Sequence, residues 1–181
     1  MTQLIGISGS LREGSLNTAL LRSIGELLPE GATLSIASID AVPLYNGDLD
    51  IDGGPPLVQA LKARISDADG LLFATPEYNF GIPGVLKNAI DWVSRPGFQS
   101  VLAHKPVAII GAAPGAVGTA RAQGQLKQVL LGTLSEVFPY PEVLVSKAHE
   151  RIQNGQLADE PTKEVLRKML EAYVNWIRRA G

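Results

Sequence analysis

Gly6-Ile7-Ser8-Gly9-Ser10-Leu11-Arg12-Glu13-Gly14-Ser15-Leu16-Asn17-Thr18 is the stretch on which the reading of this chain turns. An apolar run, Gln3 to Ser8, empties into small and hydroxylated residues with one arginine, and a helix-periodic segment follows from Leu16. Strand, glycine-rich turn and helix in that order make a phosphate cradle. The first N–H groups of a helix have no intrahelical partner and carry partial positive charge, Ser and Thr hydroxyls donate to an oxyanion, and the Arg12 guanidinium pairs with phosphate through its fork. Three related motifs fail on the same residues. A P-loop needs Lys and then Ser or Thr after its second glycine, whereas Gly14 is followed by Ser15 and Leu16. The glycines Gly6, Gly9 and Gly14 do not have G-x-G-x-x-G spacing, although Asp40, after the second apolar run, can imitate the ribose-binding acid of that motif. A nucleophile elbow lacks its final glycine in Gly6-Ile7-Ser8-Gly9-Ser10.

Outward from this loop, short apolar runs alternate with helix-periodic segments, the pattern of parallel strands joined by helical crossovers. Strands are expected at Gln3–Ser8, Thr33–Ser38, Gly70–Thr75, Pro106–Ala113 and Glu142–Val145. Helices are expected from Leu16 through Leu28, at Pro56–Ser66, after Pro83 through Val93, at Gly118–Leu131 and at Thr162–Arg179. Tyr45–Pro56, rich in Gly, Asn and Pro, reads as a surface loop. The fold class is therefore α/β: a doubly wound five-stranded parallel sheet with helices on both faces, in one domain over residues 1–181.

In the strand order 2-1-3-4-5 the first and third strands are neighbours, and ligands sit at the carboxyl ends of the strands where that order reverses. The loop after the third strand, Thr75-Pro76-Glu77-Tyr78-Asn79-Phe80-Gly81-Ile82-Pro83-Gly84, combines rings, amides and backbone-restricting residues. It suits the edge or face of a flat ring. The loop after the fourth strand, Gly111 to Gly118, is built of small residues that let backbone come close to such a ring. A ligand with a phosphate at one end and a flat polar ring at the other fits that arrangement, and FMN, known at this switch point in a fold of this order, is the natural candidate.

Composition narrows the chemistry. Of 181 residues 45% are hydrophobic and 19% charged, with a net charge of −2, so the chain builds a core and offers no field for nucleic acid or anionic lipid. Cysteine is absent, which removes disulfides, thiolate metal sites and thiol redox chemistry. Two histidines and no calcium-loop spacing leave no metal site to expect. Neither a signal-peptide pattern nor a membrane-spanning run is present, so a cytoplasmic protein is expected.

With Gly9-Ser10-Leu11-Arg12, Ser15 and Asn17, Pro43-Leu44-Tyr45-Asn46, Pro76-Glu77-Tyr78-Asn79, Pro83, Leu86-Lys87-Asn88-Ala89-Ile90-Asp91-Trp92 and Arg121-Ala122-Gln123, the chain resembles the NADPH-dependent FMN reductase family, its chromate and quinone reductases above all. The resemblance implies a flavodoxin-like fold, FMN bound without covalent attachment, NADPH or NADH as donor, and a homodimer or homotetramer with the flavin near the subunit boundary. By position, Ser10, Arg12, Ser15, Leu16, Asn17 and Thr18 would hold the phosphate and ribityl chain, Pro76, Glu77, Tyr78 and Asn79 the ring, and Ala113 and Gly115 would border it. Relatives often carry hydroxyl residues where Ala112 and Ala113 stand. Trp92, Arg95 and Pro96 fall where relatives place subunit contacts or the outer wall of the flavin, with plain core the other reading of Trp92. Arg121 and Glu142 are candidates for an ion pair between subunits.

The implied activity is ping-pong: hydride from NADPH to bound FMN, then electrons to a quinone, chromate, an azo dye or free flavin. No side chain need be a general acid or base. Two other classes use the same loops: a flavodoxin-type electron carrier without a pyridine-nucleotide site, and a redox-sensing flavoprotein whose output is a bound partner. Carriers of the first kind are strongly acidic for docking, and a charge of −2 argues against one.

Overall fold

The computed structural model of the chain describes residues 1–180. Strands β1 (Thr2–Ser8), β2 (Ala32–Ala37), β3 (Gly70–Ala74), β4 (Pro106–Ala112) and β5 (Glu136–Val137) form a parallel sheet in the order β2-β1-β3-β4-β5, and β6 (Val143–Val145) also pairs with β4. Period-2 alternation sends neighbouring residues to opposite faces, and both faces are covered. Leu4, Leu72, Ala74 and Ile110 meet α1 (Leu16–Ile24) and the C-terminal helix on one side. Ile5, Ile7, Leu71 and Phe73 meet α2 (Pro56–Asp67), α3 (Gly84–Val93) and α4 (Ala120–Leu131) on the other. Beyond β6 come α5 (Ala148–Arg151), a hairpin of β7 (Ile152–Gln153) and β8 (Gln156–Leu157), and α6 (Glu160–Ala180). Asp159 starts α6 by accepting from Thr162 N at 2.9 Å.

The flavodoxin-like order is as expected, but the fifth strand differs. In place of one strand at Glu142–Val145, two short segments share the edge: Glu136 and Val137 pair with Pro106 and Val107, and Val143–Val145 pair with Ile110–Ala112. Between them Pro139 and Pro141 have no N–H to give a ladder. The first helix also stops earlier than its apolar stripe, at Ile24, with Gly25 as C-cap. Leu27 and Leu28 follow in a turn whose N–H groups donate to Ile24 O.

Tyr173 of α6 ties the sheet from below. Its buried hydroxyl accepts from Leu71 N at 3.1 Å and lies 3.0 and 2.9 Å from the carbonyls of Leu71 and Pro106. Burial pushes its ionisation well above the ordinary tyrosine range, outweighing the opposing backbone bonds of Leu71 and Ala108. Trp92 is core: it is fully buried, and its Nε1 donates to Pro43 O at 2.8 Å. That bond, with Tyr45 N on Asn88 Oδ1 at 2.7 Å, anchors the Tyr45–Pro56 surface loop, which carries a short 3-10 turn at Gly47–Leu49. No helix among the described residues is long and apolar enough to cross a membrane.

Candidate functional site

The carboxyl ends of β1, β3 and β4 converge where the strand order reverses, and each of their loops is braced to the others. In the first loop Ser15 is the N-cap of α1, its Oγ accepting from Thr18 N at 3.1 Å. Thr18 Oγ1 donates to Ser8 Oγ at 2.9 Å, and Ser8 Oγ also accepts from Ser10 N at 3.3 Å. Those bonds shape the turn without using its other donors. The N–H groups of Arg12, Gly14, Leu16 and Asn17 meet no acceptor among the described residues, and the exposed Arg12 side chain has no ion pair there. Gly9 N donates to Ala74 O at 2.8 Å, and a Cβ on Gly9 would lie 3.2 Å from Pro76 and Leu86. Glycine thus lets the first loop lie against the second.

Asn17 is 3% exposed and spends its amide on backbone: Nδ2 donates to Ala112 O and Oδ1 accepts from Ala112 N, both at 2.9 Å. The side chain therefore joins the first loop to the third. Leu16 is half-buried against the core.

The second loop is pinned by Glu77. Its carboxylate accepts from Arg121 N at 2.9 Å and Ala122 N at 3.1 Å, capping α4, and pairs with the Arg121 guanidinium at 3.0 Å. Burial raises the Glu77 carboxyl, but the Ala122 N–H and then the Arg121 groups outweigh it, so it titrates below the ordinary value of 4.5. A folded value lower than the unfolded one means stability that is complete above about pH 4.5 and is lost as pH falls through the folded value. Glu77→Gln is expected to cost about 1–2 kcal/mol at pH 7, as cap removal does. Thermal melts across pH should show the two proteins drawing together as pH falls below 4.5 and through the folded value; parallel curves would remove Glu77 from this role.

Beyond Glu77 the chain turns in two residues. Tyr78 and Gly81 exchange both backbone hydrogen bonds, and Asn79 and Phe80 hold φ of +50° and +67°. Tight hairpin turns with two left-handed residues favour Asn-Gly, so Phe80 is strained. Its ring is 70% exposed, with the Arg121 guanidinium 4.4 Å from its centroid, and Tyr78 is 50% exposed beside it. Left-handed strain of about 1–3 kcal/mol exceeds an exposed cation–π contact of roughly 0.5–1 kcal/mol. Phe80→Gly is therefore expected to stabilise the fold by about 1 kcal/mol, a rise of roughly 2–4 °C in a thermal melt. An unchanged or lower midpoint would count against the strain.

The third loop is held through backbone: Ala113 N donates to Val145 O, Ala148 N to Ala113 O and Lys147 N to Gly115 O, at 3.0–3.1 Å. Ala112 is buried on Asn17, whereas Pro114 to Val117 are exposed, and a Cβ on Gly115 would meet nothing within 4 Å. The structure thus gathers Ser10, Arg12, Ser15, Asn17, Thr18, Pro76, Glu77, Ala113 and Gly115 at one end of the sheet, with Tyr78 and Asn79 at the exposed turn. Arg121 and Glu142 are both paired within the chain, to Glu77 and to Lys127, and not to each other. Two contributors were not anticipated. Ser8, inside Gly-Ile-Ser-Gly-Ser, centres the first turn, and Gln125 Oε1 accepts from Ile82 N at 2.7 Å to fix the second.

Residues 2–150 match the sequence pattern of the family described as NADPH-dependent FMN reductase. Over 178 residues, 98% of this chain and 96% of the relative, the sequence is 46% identical to an NAD(P)H-dependent FMN reductase of Pseudomonas aeruginosa. It is 42% identical over 173 residues, 95% of this chain, to a 2-hydroxy-1,4-benzoquinone reductase of a Burkholderia species, covering 94% of that protein. Among solved structures the flavoenzyme NAD(P)H:(acceptor) oxidoreductase FerB from Paracoccus denitrificans superposes with a TM-score of 0.90 at 37% identity, over 99% of this chain and 98% of FerB. With its loops braced at the switch point and its whole length matched, the chain belongs to the NADPH-dependent FMN reductase family of flavin oxidoreductases.

Proposed function

We propose that this chain is an FMN-dependent NAD(P)H:quinone oxidoreductase working by a ping-pong cycle. The observation that carries the reading is the set of N–H groups left without acceptors where α1 begins, beside the free Arg12 guanidinium. Unpaired donors at a helix N-terminus fit a phosphate, and the exposed ring-rich turn two strands away fits a flat heterocycle. FMN, when bound, would supply the chemistry, as the acceptor of hydride from NAD(P)H and the source of electrons for the acceptor. The Ser10, Ser15 and Thr18 hydroxyls, the first N–H groups of α1 and Arg12 hold the phosphate end. Pro76, Tyr78 and Asn79 border the ring on one side, and Ala113 and Gly115 bring backbone to it on the other. Glu77 and Asn17 act behind them, fixing the second and third loops. No side chain at these positions has to move a proton, and the chain's part is alignment.

Quinones are the acceptors favoured, with chromate, azo dyes and free flavin reduced less selectively at so open a site. The exposed Tyr78 and Phe80 rings suit a boundary between subunits of a dimer or a dimer of dimers, and the cytoplasm is the compartment of this reading. The test is the anaerobic visible spectrum of the FMN-loaded protein. Bleaching by NADPH and recovery on adding a quinone is the expected result, whereas a yellow protein that NADPH leaves oxidised is an electron carrier. Arg12→Ala should weaken FMN retention by about tenfold or more, the worth of a charge-assisted hydrogen bond. Retention equal to the wild type would overturn the phosphate assignment.

A further inference from the structure

Past β2 the chain continues as Ser38, Ile39 and Asp40 along the same end of the sheet as the glycine-rich loop. Between the two lies a cavity of about 440 Å3, closed on the α1 side by Thr18 and Arg22. It backs onto the first loop from the β2 side, whereas the ring-rich loops stand on the β3 and β4 side. Arg22 is exposed and has neither an ion pair nor a hydrogen bond among the described residues. Leu11 and Ile36, 49% and 37% exposed, add apolar wall. Asp40 accepts from Ser38 Oγ, and that bond holds its carboxyl below the usual range, so it is ionised at neutral pH. Ser8, Ser10, Arg12, Glu13 and Ala37 complete the lining; Ser10, Arg12 and Thr18 also belong to the phosphate end assigned above, so Arg22 is the cation that the groove keeps for a second ligand, facing the acids Asp40 and Glu13.

A bare anion gains little from such a groove, because Asp40 and Glu13 repel it and the apolar walls give it nothing. A nucleoside phosphate uses every part: apolar surface for the base, a carboxylate for the ribose diol and a guanidinium for phosphate. We propose that this groove takes the adenosine-phosphate half of the dinucleotide donor, with Arg22 on the phosphate and Asp40 on the ribose hydroxyls. The inference rests on the reductase reading above. It also has the reach: β2 lies two strand spacings, about 10 Å, from β3, a span that the diphosphate of a dinucleotide bridges. A carboxylate on the ribose disfavours a 2′-phosphate there, so Asp40 bears on the choice between NADH and NADPH.

The test compares two donors on the FMN-loaded protein: NADH, and reduced nicotinamide mononucleotide, which carries the same hydride without the adenylate. Arg22→Gln is expected to lower kcat/KM for NADH by about tenfold, through KM, the loss of one charge-assisted contact. The same variant should leave the mononucleotide unaffected. Asp40→Asn should raise the ratio of NADPH to NADH efficiency several-fold. A merely structural role for Arg22, such as complementing the C-terminal dipole of α1, would depress both donors alike, and that result overturns the proposal. So does a working reductase in which neither substitution moves the NADH constants. Calorimetric titration of the holoprotein with ADP separates the two readings. ADP binding that Arg22→Gln abolishes, in a protein NADH never reduces, would refute the reductase and keep the groove; no ADP binding would refute the groove.

Discussion

Replacing Gly111 by alanine is expected to lower the thermal midpoint by about 10 °C and to release the flavin at concentrations where the wild-type protein keeps it. Gly111 is buried on β4, one residue before its end, at the floor of the site. An added Cβ there would overlap Thr119 Oγ1 and lie 2.6 Å from the carbonyl oxygen of Thr75. Neither neighbour has room to yield. Thr119 is fully buried and accepts from the Gln123 amide at 3.1 Å, while Thr75 is fully buried with its N–H on Ile110 O at 3.0 Å. A methyl group can enter only by parting β3 from β4 at the point where the second and third loops leave them. Overpacking of this kind costs about 3 kcal/mol, and a chain of this length loses roughly 2–4 °C per kcal/mol. Thr119→Ala in the same chain should recover part of the loss, since the Thr75 backbone contact remains. Gly124→Ala is the control: it lies in α4 with nothing within 4 Å of its added Cβ, so it should be neutral or slightly stabilising. A Gly111→Ala protein melting within about 3 °C of the wild type would show that the sheet absorbs the methyl group.

The parts of this fold legible in the sequence are those whose cause is local. β1, β3 and β4 stand out because a strand covered on both faces is apolar at nearly every position, and a run such as Gly70–Ala74 admits no solvent-facing residue; β2, at the edge, shows instead by alternation, with Thr33 and Ser35 exposed on either side of Leu34. The fifth position is not legible in that way. Glu136 and Val137 are too few to show a period, and Pro139 and Pro141 divide the edge by withholding donors, so only the segment ending at Val145 has the look of a strand. The β7–β8 hairpin did carry a signal, in Asn154-Gly155 with φ of +51° and +75°, but two-residue strands give no apolar run to flank it.

At the site the glycine-rich loop, the ring-rich loop and the switch point between them follow from residue type and strand order. What side chains do across long separations does not. Asn17 sits at the start of a helix amid hydroxyl residues and reads as a phosphate ligand, yet its partner is Ala112, ninety-five residues away. Glu77 reads as a ring contact, and its carboxylate caps a helix beginning at Ala120. In both cases polar side chains in a ligand motif hold the loops in position, a task that local spacing cannot reveal because it depends on which strand ends the topology brings together.

Asn17→Ala is accordingly expected to cost about 2–4 kcal/mol, because it leaves the buried N–H and C=O of Ala112 without the amide that pairs them. Asn17→Asp is the sharper test. Aspartate keeps an acceptor for Ala112 N, but its second oxygen faces Ala112 O, where the native amide donates, and an ionised carboxylate there is buried without a cation. Both effects raise the folded-state value of that carboxyl above its unfolded value of about 3.9. The folded variant then binds the extra proton more readily than the unfolded chain, so it gains stability as pH falls through the raised value. Protonated, the new side chain can donate to Ala112 O and accept from Ala112 N as asparagine does. Chemical denaturation at pH 7.5 and pH 5 should show the gap from wild type narrowing at the lower pH, with flavin retention recovering in step. A gap that is absent at pH 7.5 would mean that the first and third loops stay together without Asn17; a gap equal at both would mean that the lost link is steric, not the donor this geometry assigns.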